Sequence, residues 1–406
     1  MNTVRLMVYS HDAFGLGNLR RMLAICNYLL SCWPRLSILL VSGSPMLQGF
    51  RLPQGLDYIK LPCLNRGLSG ELTAKYLGTS TEETVQLRSQ LIYSAATHYK
   101  PDLLLVDKKP AGLRGELVST LNYLQNHLPQ TKRVLLLRDI LDTPEKTTCE
   151  WHRLGYYQHI QTQYDQVLVV GMQSIFDVVQ EYQFPLPVAQ KVRYCGYIRK
   201  QSGGHKKDDL RQQLGLTQDD KLVLVTPGGG EDGYDLVNTY LKGLNPLGDN
   251  FHSLVLCGPE MPAEQQMALQ KLAARCPRVT FQSFTDDLLS YLSVADTVVS
   301  MGGYNTLTEI LTLAKRTVVV PRVKPSQEQL IRAERFAKKG LVRMIHPEYV
   351  TPHSLMQAVE TQLATRAANP AGLDFNGLPQ IANHLAALRA LTKPAVSPFY
   401  SLAWIG

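Results

Sequence analysis

Short apolar runs rich in Leu and Val alternate with helical segments along nearly the whole chain. This alternation is typical of parallel sheets covered by helices, and it occurs twice, so the sequence predicts an α/β protein. The first half predicts strands at 4–10, 36–41, 102–106, 133–137 and 166–170, with clear helices at 19–30 and 82–99. The second half predicts strands at 222–226, 253–258, 279–282, 297–300, 317–321 and 341–345, and helices at 235–244, 262–274, 287–294, 305–314, 326–339 and 352–367.

The polar segment 199–213 separates the two halves. It contains two consecutive glycines and clustered charges, a composition typical of an exposed linker. The sequence therefore predicts an N-terminal domain over 1–198, the linker 199–213, and a C-terminal domain over 214–372, with residues 373–406 as a further helix and tail. Two such Rossmann-like domains would face a cleft, where α/β folds bind ligands at the carboxyl ends of their strands.

Composition excludes several classes of protein. The 406 residues are 45% hydrophobic and 19% charged, which is incompatible with a mainly disordered chain. Neither a bilayer-spanning apolar run nor a secretory signal is apparent, so we expect a cytoplasmic protein. Seven cysteines without CxxC spacing argue against a zinc site or a disulfide framework. The sequence also lacks an Asp-x-Asp pair, and we expect no metal.

The formal net charge of +8 is concentrated in one stretch. Residues 315–343 hold nine Lys and Arg against two Glu. The stretch fits a solvated helix face, a site for an anionic ligand, or peripheral contact with an anionic membrane at the inner face of the cell. Nucleic-acid binding is disfavoured, because no aromatic residues interleave the cations as in single-strand-binding platforms.

Three junctions between strand and helix are rich in glycine. SHDAFGLGNLRR, at 10–21, has Arg20 where a dinucleotide fingerprint needs its third glycine, so NAD is disfavoured. Gly17 and Asn18 there fit either a tight turn with Asn18 as the helix N-cap, or a ligand contact. TPGGGEDGYD, at 226–235, places Gly228, Gly229 and Gly230 after a strand, where backbone N–H groups can hold a phosphate or a sugar.

The third junction, SMGGYNTLTEIL at 300–311, leaves two interpretations open. Thr306 and Glu309 fit a capping box, yet Glu309 could instead accept two hydrogen bonds from a ribose diol. PSQEQL, at 325–330, has the same ambiguity. Its Ser326 and Gln329 fit a capping box, while Glu328 and Gln329 could bind hydroxyl groups.

Together, the GGG loop, FTDD at 284–287, SMGGYNTLTEIL and VPRVKPSQEQ resemble family 28 glycosyltransferases, whose best-known member makes the peptidoglycan lipid precursor. SHDAFGLGNLRR and VDKKPAGLRGE, at 106–116, are similar to motifs of a bacterial set of glycosyltransferases assigned by sequence. The resemblance implies a GT-B fold, an N-terminal acceptor domain, a C-terminal UDP-sugar domain, and a C-terminal helix that packs back on the first domain. The acceptor is left open, whether a small molecule or a lipid-linked one.

The resemblance also implies roles for individual residues. Glu309 would hold the ribose, and Glu328 and Gln329 would contact the sugar. Asn18 departs from the family, which usually has His at this position, and Asn cannot act as a base. The other implied donor contacts are the glycine loop, the base-flanking Phe284, the basic Arg199 at the linker, and the residues that open the diphosphate-facing helix, Gly303, Asn305 and Thr306.

The leading hypothesis is thus a metal-independent inverting glycosyltransferase that moves a hexose or N-acetylhexosamine from a UDP-sugar to a hydroxyl. Alternatives are a UDP-N-acetylglucosamine 2-epimerase-like enzyme and a non-catalytic sugar-nucleotide-binding protein, the latter suggested by Asn18. For the catalytic base the sequence offers His11 and Asp107, which both follow strands. His11 is favoured because the ordinary pKa of histidine is close to neutral pH. His11 fits equally well a structural role, in which it caps the strand or forms a hydrogen bond with the backbone of the following turn.

Overall fold

The computed structural model describes residues 3–10, 16–66, 72–199, 204–245, 250–365 and 370–389. The chain divides into two compact units. Unit 1 comprises residues 1–198 together with 376–406, and unit 2 comprises residues 199–375. Each unit is an α/β body built on its own parallel sheet.

The main sheet of unit 1 has seven strands in the order β3-β2-β1-β6-β7-β8-β9, all parallel. β1 and β6 are fully buried along their carboxyl-terminal halves, as expected for central strands covered on both faces. The edge strands β3 and β9 were not predicted from the sequence. The strands of this unit are β1 (Val4–Ser10), β2 (Leu36–Ser42), β3 (Leu56–Lys60), β4 (Leu64–Arg66), β5 (Leu72–Ala74), β6 (Leu103–Asp107), β7 (Lys132–Arg138), β8 (Gln166–Val170) and β9 (Val192–Tyr194).

Helices connect these strands. The Ser80 side chain and Glu83 form a capping box that starts α2, and Lys100, in the left-handed region, ends it. β4 and β5 pair with each other as a short antiparallel ladder. The helices are α1 (Leu16–Cys32), α2 (Thr81–Tyr99), α3 (Val118–His127), α4 (Pro144–Arg153), α5 (Tyr156–Gln163), α6 (Val178–Glu181) and α7 (Leu186–Ala189).

The segment predicted as a linker is only partly irregular. α8 (Lys207–Gln213) is helical within unit 2, because Leu210 is 2% exposed and α8 packs against the helix that follows Asp287. Asp287 also accepts a hydrogen bond from the backbone of Gly204 and contacts the Nδ1 atom of His205, each at 2.9 Å. Within the described part of the predicted linker, residues 207–213 are therefore helical rather than irregular.

Unit 2 has a six-stranded parallel sheet in the order β12-β11-β10-β13-β14-β15. Its strands and helices lie within a few residues of the sequence predictions, which are confirmed. The elements are β10 (Leu222–Thr226), α9 (Tyr234–Gly243), β11 (His252–Leu256), α10 (Ala263–Ala273), β12 (Val279–Gln282), α11 (Leu288–Val294), β13 (Thr297–Ser300), α12 (Tyr304–Thr312), β14 (Arg316–Val319), α13 (Glu328–Lys338), β15 (Arg343–Met344) and α14 (Pro352–Ala364).

After unit 2 the chain returns to unit 1 through α15 (Gly377–Arg389), which packs against α1. The backbone N–H of Gly377 donates to the Tyr197 carbonyl at 3.0 Å, and a Cβ atom at residue 377 would collide with that carbonyl. At the other end of α15, Arg389 donates to Asp102 at 2.6 Å. The helix is thus fixed to unit 1 at both ends.

Candidate functional site

In the glycine-rich loop after β10, backbone packing excludes a side chain at Gly230. Gly228 and Gly230 have φ of +92° and +98°, in the region that favours glycine. A Cβ atom at Gly230 would overlap the Cys257 carbonyl oxygen, and one at Gly258 would overlap the Gly228 carbonyl oxygen. Glycine is therefore required by backbone packing between the ends of β10 and β11, and this packing fixes where the loop's N–H groups lie.

α12 starts beside this loop. Its N-cap is Gly303, which provides no side-chain cap, and a Cβ atom there would meet no neighbour within 4 Å. A Cβ atom at Gly228 would lie 3.5 Å from the hydroxyl oxygen of Thr306, in the first turn with Asn305. A glycine loop thus lies against a helix N-terminus, where the helix dipole favours a negative group.

Glu309 is not part of a capping box. α12 begins at Tyr304, so Thr306 lies inside the first turn rather than at the N-cap position, and Glu309 lies in the second turn. The residue is 3% exposed. The capping-box interpretation of Thr306 and Glu309 is therefore wrong, because Gly303 begins the helix three residues earlier than that pattern requires.

The second capping-box interpretation is also wrong. Gln327 is the N-cap of α13 and makes no side-chain cap, while Ser326 accepts a 3.3 Å hydrogen bond from the Glu328 backbone. Gln329 instead accepts a 3.1 Å hydrogen bond from the backbone N–H of Arg322. Glu328 and Gln329 are each 8% exposed at the start of α13. Ser326 and Gln329 therefore do not form a capping box.

Contacts of Arg332, Arg322 and Asp232 hold these segments together, and the sequence did not predict them. Arg332 is 1% exposed and donates to the Gly302 carbonyl at 3.1 Å, with its guanidinium 5.6 Å from the Tyr304 ring centroid. Arg322 donates to Asp232, in the loop after β10, at 3.0 Å. The concentration of cations in 315–343 was the available signal, but it did not separate buried cations from exposed ones.

Two further candidates are Phe284 and Arg199. Phe284 follows β12 and is 39% exposed, while the Gly258 N–H donates to the Ser283 carbonyl at 3.0 Å. Arg199 is exposed and is the first residue of unit 2. The structure therefore brings together the loop of Gly228, Gly229 and Gly230, the start of α12 and the start of α13. Phe284 follows the edge strand β12, which β11 separates from β10.

In unit 1, Asp107 is wholly buried at the carboxyl end of β6. Its Oδ1 atom accepts a 2.8 Å hydrogen bond from Arg21, which also donates to the Asn18 side chain at 3.3 Å. α1 begins at Leu16, so Asn18 lies in its first turn with Gly17, and the N-cap interpretation of Asn18 is wrong. His11 lies outside the described residues. Asp107 thus anchors Arg21, and through it Asn18.

The VDKKPAGLRGE segment contributes a second buried cluster. Arg88 donates to the two carboxylate oxygens of Glu116 at 2.6 and 2.7 Å, and the Tyr9 hydroxyl donates to the same carboxylate at 2.5 Å. Burial, reinforced by Glu116, raises the pKa of Tyr9 well above its ordinary value. This bidentate pair ties α2 and the segment after β6 to the central strand.

Much of the basic stretch 315–343 is used inside unit 2. Lys315 donates to the carbonyls of Ser293 and Ala295 at 2.7 and 2.8 Å, and burial lowers its pKa to about 8. Arg316 binds the carbonyl of Leu363 at 2.8 Å. With Arg322 and Arg332, at least four of the nine cations make contacts within the unit. The interpretation of the stretch as one solvated or membrane-facing surface is accordingly wrong for these four.

Within the described ranges, no helix is both long and apolar enough to cross a membrane. The same residues contain no cluster of three or more His, Cys, Asp or Glu side chains placed to hold a metal ion.

The C-terminal half is similar to known glycosyltransferases. Residues 222–377 match the glycosyltransferase family 28 C-terminal domain. An uncharacterized glycosyltransferase of Methanopyrus kandleri is 27% identical over 180 residues, covering 44% of this chain and 49% of that relative. A UDP-N-acetylglucosamine–N-acetylmuramyl-(pentapeptide) pyrophosphoryl-undecaprenol N-acetylglucosamine transferase of Clostridium kluyveri is 28% identical over 145 residues, covering 35% of this chain and 39% of the relative. The chain thus matches about half or less of these curated relatives.

Solved structures extend the similarity to the whole fold. The spinosyn forosaminyltransferase SpnP aligns with a TM-score of 0.63 at 12% identity, covering 96% of this chain and all of that one. MurG of Acinetobacter baumannii aligns with a TM-score of 0.57 at 15% identity, covering 96% of each chain. The predicted fold class is confirmed. The chain has the α/β fold of the GT-B glycosyltransferases, with two Rossmann-like units, and its residues 222–377 are similar to the family 28 C-terminal domain.

Proposed function

We propose that the protein is an inverting glycosyltransferase that moves a hexose or N-acetylhexosamine from a UDP-sugar to a hydroxyl group of an acceptor. One observation carries this proposal: a side-chain-free glycine loop lies against the N-terminus of α12 within the region that matches family 28. Backbone N–H groups and a helix dipole stabilise a diphosphate leaving group without needing a metal ion. We therefore propose that the reaction is metal-independent.

The donor would bind along the carboxyl edge of the unit 2 sheet. The glycine loop and the first turn of α12 would hold the diphosphate, Glu309 the ribose, and Phe284 the base. Glu328 would accept hydrogen bonds from the sugar hydroxyls, and the Gln329 amide would donate hydrogen bonds to them. Arg199 would add positive charge near the diphosphate.

In the reaction, the acceptor oxygen would attack the anomeric carbon, the bond to the UDP oxygen would break, and a base would take the acceptor's proton. We assign the base to His11 rather than Asp107. The Asp107 carboxylate is wholly buried and bound to Arg21, which suits a positioning residue better than a group that must reach an acceptor hydroxyl.

The acceptor and location are proposed at a coarser level. The C. kluyveri relative is named for a transfer to a lipid-linked muramyl acceptor. By analogy we propose a hydroxyl acceptor, small or lipid-linked, used in the cytoplasm or at the inner face of the membrane. A non-catalytic sugar-nucleotide-binding protein is the second candidate, because Asn18 replaces the histidine that the family usually has and is bound to Arg21.

The test is incubation with a panel of UDP-sugars, with and without EDTA, followed by mass spectrometry of the nucleotide products. A transferase releases UDP, slowly to water or rapidly once an acceptor is supplied, and EDTA leaves the rate unchanged. Tight UDP binding in calorimetry without any UDP release would favour the binding protein. Conversion of UDP-N-acetylglucosamine to an isomer would favour the epimerase, and activity that EDTA abolishes and Mn²⁺ restores would overturn metal independence.

A further inference from the structure

Arg322 connects two of the segments that form the candidate donor site. Its guanidinium donates to Asp232 at 3.0 Å and lies 3.7 Å from the Glu328 carboxylate. Asp232 belongs to the loop after β10, whereas Glu328 is the first residue of α13. Because Arg322 itself follows β14, one side chain joins the carboxyl ends of β10 and β14 across the intervening β13.

The backbone of Arg322 adds a third connection. Its N–H donates to the Gln329 side-chain oxygen at 3.1 Å, so both residues proposed to contact the sugar are held by the same position. These contacts are partly shielded from water, since the Glu328 side chain is 10% exposed and that of Arg322 is 27% exposed. A planar guanidinium can bind two carboxylates at once, which a lysine ammonium on its flexible stem does poorly.

We propose that Arg322 is a positioning residue that fixes Glu328 and Gln329 for the sugar of the donor and couples them to the glycine loop. This inference rests on the proposed function. Two carboxylates, Asp232 and Glu328, face one guanidinium, which leaves the group with one net negative charge. Ionised carboxylates only accept hydrogen bonds, so the subsite suits a sugar that offers hydroxyl or amide donors rather than a uronic acid. The substrate class is therefore a neutral hexose or N-acetylhexosamine.

The experiment separates the contribution of the sugar from that of the nucleotide. Calorimetry gives Kd for UDP, UDP-glucose and UDP-N-acetylglucosamine, and the ratio of the UDP value to each UDP-sugar value isolates the sugar. In Arg322→Met we expect this ratio to fall about tenfold for the UDP-sugar that binds wild type better, with Kd for UDP changed less than about threefold, a coupling typical of contacting groups. The exposed Arg343→Met, on the same sheet, is the matched control and should change neither value.

A double-mutant cycle tests whether Arg322 acts through Glu328. Glu328→Gln alone should lower the ratio, and Arg322→Met added to it should lower it little further. Independent, additive losses would overturn the positioning role, as would an unchanged ratio accompanied only by a lower melting temperature. UDP-glucuronate should bind wild type more weakly than UDP-glucose, and tighter binding would overturn the assigned substrate class.

Failure of the proposed function would look different. If the wild-type protein binds neither UDP nor either UDP-sugar, both the proposed function and the role of Arg322 are overturned. If the wild type binds normally and the ratio is unchanged in Arg322→Met, only the role of Arg322 is overturned. Should Arg322→Met not fold, Arg322→Lys takes its place. Its ratio should lie between wild type and Glu328→Gln, because one ammonium cannot hold both carboxylates, and a wild-type ratio would refute the proposal.

Discussion

The buried Arg88–Glu116 pair makes a quantitative prediction about the VDKKPAGLRGE segment. Although this segment looks like a catalytic motif, the Glu116 carboxylate is fully used inside unit 1, where it accepts two hydrogen bonds from Arg88 and one from Tyr9. The side chains of Arg88 and Glu116 are 2% and 0% exposed. Glu116→Gln removes the negative charge and leaves the guanidinium buried without a counter-charge.

Breaking a buried pair in this way costs about 3–5 kcal/mol. Tyr9→Phe removes the hydrogen bond to the Glu116 carboxylate and leaves the Leu113 N–H without the hydroxyl that it donates to, so it should cost at least about 1.5–3 kcal/mol. The double variant Arg88→Met/Glu116→Leu removes both charges and should recover most of the loss, because apolar groups of similar size avoid the desolvation of two ions. The control is Glu82→Gln, which breaks an exposed pair with Arg114 and should cost less than about 1 kcal/mol.

Urea unfolding followed by tryptophan fluorescence measures these differences. None of the three tryptophans lies between residues 199 and 375, so the signal reports on unit 1. Unchanged stability of Glu116→Gln, combined with loss of UDP-sugar turnover, would refute the structural role and make Glu116 a group that acts on substrate.

Three further predictions concern the site and the fold. Glu309→Ala should weaken UDP binding by about 1–3 kcal/mol in calorimetry if it accepts ribose hydrogen bonds, while the exposed Glu334→Ala should leave the affinity unchanged; equal affinities in both would remove Glu309 from the site. His11→Ala should lower turnover about 10²–10⁴-fold without changing UDP affinity, and near-normal turnover there, with loss in Asp107→Asn, would transfer the role of base to Asp107. Lys315 has a folded-state pKa of about 8, below that of an unfolded lysine, so between about pH 8 and 10.5 the unfolded chain binds more protons and this residue makes stability rise with pH. In Lys315→Met, urea unfolding across this range should show a smaller rise than wild type, and an identical pH dependence would contradict the assignment.

The sheets could be predicted because parallel strands that are buried on both faces have continuous apolar sequences. β10 (Leu222–Thr226) and β13 (Thr297–Ser300) are examples, and both were located to the residue. The edge strands β3 and β9 are less buried, so their sequences lack that signal. Burial of the sheet faces thus decides which strands a sequence reveals.

Helix starts were less predictable, because a short sequence motif does not specify which residue is the N-cap. T-x-x-E at 306–309 and S-x-x-Q at 326–329 both fit capping boxes, yet Gly303 and Gln327 are the N-caps. These two helix starts depend on contacts with other segments of unit 2, such as the Arg332 contact with the Gly302 carbonyl and the Arg322 contact with Gln329. The local pattern cannot contain that information.

Contacts between distant residues could not be predicted at all. Arg322 and Asp232 are 90 positions apart, and Arg21 and Asp107 are 86 apart. Arg322 and Asp232 follow β14 and β10, which β13 separates, whereas Arg21 lies in α1 after β1 and Asp107 ends the adjacent β6. Each pair meets because the strands of a parallel sheet end at the same edge. Without the strand order, a basic stretch such as 315–343 can be described only by its net charge. The sequence does not show which of its cations bind other residues of unit 2.

The return of α15 to unit 1 has a consequence for how the chain folds during synthesis. Residues 199–375 are contiguous, so unit 2 can complete its structure while the ribosome is still translating. Unit 1 instead waits for residue 389, because Arg389 must reach Asp102 and α15 must cover α1. A truncation after residue 375 would therefore damage the unit that is made first and spare the one that is made second, and should yield a protein with a folded unit 2 and an unstable unit 1.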